Sequence, residues 1–267
     1  MRIRTTWKLV TRVPAQSQSE RQSCVFSQFH RNLSDFTMAK LSKNINEIKS
    51  GVVAIGFTPS PAQVTIVGSG FCVSGDGKIL TAAHIWNQVP NDQRPNMKAF
   101  VMVEEAMDYL DRYKWIPVEL VKKDDQSDIA LLRLTEYEGT LLKPLKIGDS
   151  DSVEVGQEVY FIGFPYAAQL MNDGFGVTLV VNKSIVSTLK REGNTAEHKR
   201  SWIFVDTISN PGNSGCPLID VETNRVIGLN TISFRMKSKV TPNLDIREPM
   251  HIAGAKPINL AKELLDG

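Results

Sequence analysis

Apolar residues along this chain gather in short runs, separated by Gly, Pro, Ser and Asp. One set covers Val52–Phe57, Val64–Val73, Lys78–Ala82, Ala99–Val103, Val118–Lys122 and Ile129–Leu134. Turn signals such as Ser60-Pro61 and Ser74-Gly75-Asp76-Gly77 stand between them. Runs of this length bounded by turn residues predict β-strands, and six strands suit one small barrel. A second set covers Glu158–Gly163, Gly176–Val181, Lys183–Leu189, Trp202–Asp206, Cys216–Asp220, Val226–Ile232 and Met250–Ala253. Helical spacing is confined to Leu41, Ile45 and Ile48, to a short excursion over Glu104–Trp115, and to Ile258–Leu265. Many short strands with helix mainly at the ends predict an all-β barrel or sandwich.

The organisation expected from this pattern has four parts. Residues 1–40 form a basic N-terminal extension, 41–135 a first β unit, 136–148 a linker, and 149–267 a second β unit with a terminal helix. The extension carries seven Lys and Arg against Glu20 and Asp35, which leaves the rest of the chain slightly acidic in a total of +2. A body without a basic excess argues against nucleic acid as a partner. Ile3, Trp7, Val10 and Val13 fall on one side of a helical wheel, and Arg4, Lys8 and Arg12 on the other. That pattern reads as an organelle transit segment or as a disordered basic tail, and Met38 is an alternative start. No apolar core of a secretory signal is present, nor any apolar run of membrane-spanning length. Cys24, Cys72 and Cys216 are too few for a disulfide framework, which favours a reducing compartment. The expectation is therefore a cytoplasmic protein, with a mitochondrial or other organellar location as the alternative.

Three local patterns carry chemistry. They are Thr81-Ala82-Ala83-His84 after an apolar strand, Ser127-Asp128-Ile129-Ala130 opening another, and Asn210-Pro211-Gly212-Asn213-Ser214-Gly215 in a glycine-rich turn. A serine hydroxyl needs a base to become a nucleophile, and an imidazole titrating near neutrality serves as one. A carboxylate on the other ring nitrogen fixes the tautomer. Glycines beside Ser214 let backbone N–H groups turn toward a developing oxyanion. Each pattern alone is commonplace: a strand-end His, a turn Asp, a polar glycine turn. Their order, His84 then Asp128 then Ser214, is that of the chymotrypsin-type triad. The four histidines are isolated from one another, and no metal-ligand or phosphate-loop spacing occurs, so no metal or cofactor is expected.

At these residues the chain resembles the trypsin-like peptidases, and within them the HtrA (Deg-type) branch. Gly68-Ser69-Gly70-Phe71, Val177-Thr178 with Ser184-Ile185-Val186-Ser187, Asp206-Thr207 and Val226-Ile227-Gly228-Leu229-Asn230-Thr231 extend the likeness over roughly residues 48–262. The resemblance implies two six-stranded antiparallel β-barrels packed side by side. It implies a catalytic triad of His84, Asp128 and Ser214, and an oxyanion hole from the N–H groups of Gly212 and Ser214. It also implies a substrate pocket from Ile208, Asn230, Thr231 and Ile232, with Asp206 beside the approach strand. An aliphatic pocket should favour Val, Ile, Leu or Ala before the scissile bond. Cys216 stands where the family has a second glycine, and the family's peptide-binding PDZ domain is not expected. Asn213 has no charge for the ion pair that activates digestive zymogens.

The function expected is a serine endopeptidase with polypeptide substrates, broad in preference and suited to unfolded chains. The competing class is a catalytically silent binding or scaffold protein of the same fold. Labelling of Ser214 separates the two. Nothing in the residues speaks to oligomeric state.

Overall fold

A computed structural model describes residues 40–60, 63–105, 111–136, 138, 140–191, 200–237 and 247–266. Contacts divide the chain into Met1–Lys43 and Asn44–Gly267, and the architecture that follows is that of the second unit. Most of the extension, residues 1–39, lies outside the described residues, as do His30 and His198.

Twelve strands form two closed antiparallel barrels. The first contains β1 (Val52–Ser60), β2 (Gln63–Cys72), β3 (Lys78–Thr81), β4 (Met97–Glu104), β5 (Arg112–Asp124) and β6 (Ile129–Leu134), closed in the order β1-β2-β3-β6-β5-β4. The second contains β7 (Glu158–Gly163), β8 (Val180–Arg191), β9 (Arg200–Val205), β10 (Pro217–Asp220), β11 (Arg225–Lys237) and β12 (Arg247–Pro257), closed as β10-β11-β12-β9-β8-β7. Closure leaves no free sheet edge within either barrel. The expected double barrel is thus the observed fold.

Each barrel is filled by its own inward residues. Val53, Ile55, Phe71, Leu80 and Leu132 are fully buried in the first. Val159, Phe161, Val205, Leu218 and Ala255 are buried together in the second. Each large aliphatic or aromatic side chain so buried stabilises the fold by about 1.5–3 kcal/mol. Cys216 joins this second core with no exposed surface. A Cβ on Gly163 would come within 2.8 Å of Cys216 Cβ, so the smaller residue opposite makes the room.

Several local expectations change. Arg112–Trp115 is strand, not a helical excursion. Tyr113 and Trp115 alternate with Lys114, and both rings lie 4.8 Å from Phe100 on β4. That cross-strand aromatic packing favours strand over helix. Residues 176–179 are not strand, and one long β8 replaces the two expected runs. Lys190 and Arg191 close β8 and Arg200 opens β9. The chain ends in a 3-10 turn over Ile258–Ala261 and a short helix over Lys262–Leu265. Among the described residues no helix is long and apolar enough to cross a membrane.

Candidate active site

The cleft is assembled where loops of the two barrels meet. His84 lies in the first turn of a short helix, α1 (Ala83–Asn87), directly after β3. That helix begins without a side-chain cap of its own. Asp128, one residue before β6, supplies the missing acceptor. Its Oδ1 accepts the backbone N–H of His84 at 2.9 Å, and its carbonyl accepts that of Ala83 at 3.2 Å. Its Oδ2 lies 2.8 Å from His84 Nδ1. To reach both, Asp128 adopts φ 54°, a left-handed conformation that costs a non-glycine residue about 1–3 kcal/mol. A proton held on Nδ1 leaves Nε2 as the ring's acceptor.

Ser214 sits in the loop that precedes β10. Gly68 on β2 shows how close this loop comes to His84. A Cβ there would lie 2.5 Å from Ile85 Cδ1 and 2.9 Å from the Ser214 carbonyl. Gly215 presses further in. A Cβ on it would meet the Ser69 carbonyl at 2.1 Å and Thr81 Oγ1 at 2.4 Å, and its φ is +85°. Only glycine fits that approach. Among the described residues the Ser214 hydroxyl makes no hydrogen bond, and such contacts commonly tighten only with substrate bound.

The carbonyls of residues 211 to 214 are all occupied. Pro211 accepts from Tyr166 N–H at 2.7 Å, and Gly212 accepts from the Ser69 hydroxyl at 2.6 Å. Asn213 accepts from Cys216 N–H at 3.0 Å and Asn230 Nδ2 at 3.1 Å, and Ser214 from Ser69 N–H at 2.8 Å. Gly212 takes φ +97° to make this turn. Carbonyl and N–H of one peptide point in opposite directions, so the bonds to the Pro211 and Asn213 carbonyls turn the N–H groups of Gly212 and Ser214 the other way. Neither N–H has a partner among the described residues. This arrangement can receive an anionic oxygen.

The residues expected at the substrate pocket have different situations. Ile208 is half-buried and Ile232 is 36% exposed. Gly254 faces Ile232, where a Cβ would come within 2.6 Å of Ile232 Cγ2. Thr231 is buried, with no partner for its hydroxyl among the described residues. Asn230 is fully buried, and its Nδ2 donates to Ser209 Oγ at 2.7 Å and to the Asn213 carbonyl. Its side chain braces the serine loop from below. Asp206 is exposed. On the opposite flank of Gly212, a depression of about 420 Å³ is lined by Ile66, Val67, Gln88, Tyr166, Ala167 and Pro211.

Residues 68–229, more than half of the sequence, match the trypsin-like peptidase domain. The chain belongs to the trypsin-like peptidase family. This peptidase domain is 31% identical over 69% of its chain to the magnetosome formation protease MamE of Paramagnetospirillum magneticum, covering 22% of that protein. It is 30% identical over 75% of its chain to a "Probable periplasmic serine endoprotease DegP-like" of Halomonas elongata, covering 34% of it. The chain thus spans roughly a fifth to a third of these relatives' lengths. Among solved structures, the HtrA-type protease AlgW with tripeptide overlays 85% of this chain and 62% of its own at a TM-score of 0.58 and 24% identity, a likeness of fold.

The relatives also correct the compartment. DegP-like proteins are described as periplasmic, which overturns the cytoplasmic or organellar expectation. Sparse cysteines misled because a two-barrel peptidase domain of this size buries enough core without disulfides. Cys72 and Cys216 are both buried free thiols. Burial pushes the Cys72 thiol up to about 11 and raises that of Cys216 further.

Proposed function

We propose that the protein is a serine endopeptidase in which Ser214 is the nucleophile, His84 the general base and acid, and Asp128 the carboxylate that orients the imidazole. The observation that carries this reading is the pairing of Asp128 with both His84 N–H groups, beside a serine loop whose carbonyls are all turned away. Ser214 Oγ attacks the scissile carbonyl carbon while His84 Nε2 takes its proton. The carbonyl oxygen becomes an oxyanion received by the N–H groups of Gly212 and Ser214. The imidazolium then gives its proton to the leaving amine, and the C–N bond breaks to leave an acyl-enzyme. Water, deprotonated by His84, attacks the ester and releases the acid, and the proton returns to Ser214.

The half-buried Ile208 and exposed Ile232 supply an apolar acyl-side wall. That wall supports a broad preference for aliphatic residues before the scissile bond, with each methylene contributing about 1–3 kcal/mol of discrimination. Unfolded polypeptides suit such a preference.

A fluorophosphonate probe and a peptide-library cleavage profile test both levels. Wild type should be labelled on Ser214, and Ser214→Ala should lose labelling and turnover by on the order of 10⁶-fold. Equal turnover in the two proteins overturns the assignment. An unlabelled, inactive wild type returns the protein to the silent binding class. Cleavage mainly after Arg or Lys overturns the aliphatic preference alone.

A further inference from the structure

Ser69 lies on β2, in the first barrel, with no exposed surface. It reaches the serine loop of the second barrel twice. Its N–H holds the Ser214 carbonyl at 2.8 Å and its hydroxyl holds the Gly212 carbonyl at 2.6 Å. The same hydroxyl accepts the Phe164 N–H at 2.9 Å. Phe164 stands two residues before Tyr166, whose N–H holds the Pro211 carbonyl at 2.7 Å. The Ser69 carbonyl in turn accepts the Thr81 hydroxyl at 2.7 Å, three residues before His84.

Gly212 is the second corner of a Pro211-Gly212 turn, closed by the Asn213 N–H on the Asn210 carbonyl at 2.9 Å. Its φ is +97°, and because a glycine visits positive and negative φ with similar ease, a bond from the first barrel adds to what the turn alone supplies. The Ser69 hydroxyl holds the carbonyl of that same residue. We propose that Ser69 is a positioning residue for peptide hydrolysis, whose hydroxyl locks Gly212 so that the N–H groups of Gly212 and Ser214 stay aimed at the oxyanion. The proposal rests on the serine-peptidase reading above. Ser69 touches no reacting atom and acts through Gly212.

Ser69→Ala removes the hydroxyl and leaves the β2 backbone unchanged. Its kcat should fall about tenfold or more, short of the roughly 10²–10³ lost when an oxyanion donor is deleted outright. KM should stay near the wild-type value, because the lost restraint matters chiefly in the transition state. A peptide aldehyde, whose carbonyl adds Ser214 Oγ and places its oxygen at the same N–H groups, should lose affinity in step with kcat. Binding of the uncleaved peptide to a Ser214→Ala protein should not change when Ser69→Ala is added. Tyr160→Phe is the control for destabilisation, since it removes a hydroxyl bond to Asn224 of 2.7 Å remote from the cleft. It should lower the melting temperature and leave kcat alone.

An unchanged kcat in Ser69→Ala overturns the proposal. So does a loss of peptide affinity as large as the loss of aldehyde affinity. If Ser69→Ala does not fold, Ser69→Cys keeps a similar shape with a weaker donor and should show the same kcat loss. Failure of both to fold assigns Ser69 a structural role and overturns the proposal. A wild type that is not labelled by fluorophosphonate overturns the peptidase reading itself. A labelled wild type matched by Ser69→Ala overturns only the role of Ser69.

Discussion

The two barrels line one cleft but prepare their shares of it differently. On the first barrel, the polar groups of His84, Asp128, Ser69 and Thr81 that face inward are tied to one another or to the serine loop. On the second, five of the six buried side-chain polar atoms without a partner among the described residues belong to Asn213, Asn230, Thr231 and Ser233. A buried group left unbonded costs about 1–3 kcal/mol. The first barrel therefore presents a His84–Asp128 pair already bonded. The second keeps unsatisfied polarity beside the proposed acyl-side wall and gives up stability there.

Asp128→Asn should break the bonded half most severely. An amide can keep the backbone bond to His84 but holds the wrong imidazole tautomer, and kcat should fall about 10⁴-fold with the melting temperature little changed. A loss under about tenfold, measured on a cleaved peptide, would separate the Asp128–His84 pair from the chemistry.

Gly215→Ala tests the contact between the halves. A methyl there must displace the Ser69 carbonyl and sits at a φ that costs an L-residue energy, so unfolding free energy should drop by about 2–5 kcal/mol. Gly75 has nothing within 4 Å of a Cβ, and Gly75→Ala should stay within about 0.5 kcal/mol. Equal urea midpoints for the two variants would remove the idea of a crowded seam.

Asp220, which ends β10, shows that unsatisfied polarity does not pervade the second barrel. Burial would raise its pKa, yet the Gln157 amide, the Thr223 hydroxyl and the backbone N–H groups of Thr223 and Glu222 hold the carboxyl below its ordinary value. A depressed folded pKa means that the charged form stabilises the fold above the unfolded value of about 3.9, and that this is lost as pH falls through the folded one. Asp220→Asn should therefore cost about 1.5–3 kcal/mol at neutral pH and progressively less below about pH 4. A pH-independent difference in unfolding free energy would contradict it.

The smallest effect sharpens the comparison within the serine loop. Asn230→Ala strips donors from Ser209 and from the Asn213 carbonyl and should cost about 1–3 kcal/mol. Asn213→Ala, at the same depth, removes an amide with no hydrogen bond among the described residues and should cost less than about 1 kcal/mol. The reverse order in denaturant midpoints would mean that Asn213 is bonded in solution.

Much of this was legible in the residues. The barrels could be read because nearly every strand carries its own apolar run between turn residues. His84, Asp128 and Ser214 could be singled out because each sits in a short pattern suited to one role. What escaped was set by distant partners. Tyr113 and Trp115 look indifferent until Phe100 stacks on them. Asn230 reads as a pocket wall, but a register shift between Asn230 and Ile232 interrupts the side-to-side alternation of β11, and Asn230 is buried under the serine loop. Ser69 was visible only as the middle of Gly-Ser-Gly, because a serine within a strand carries no local sign of what it will bond.

The bond from Ser69 to Gly212 joins positions 143 residues apart. Contacts of such separation form late, since the chain must first close a long loop around them. A chain emerging from synthesis, or one opened in either barrel, lacks the grip on Gly212. On the role proposed for Ser69, the capacity to cut appears and vanishes together with the completed fold.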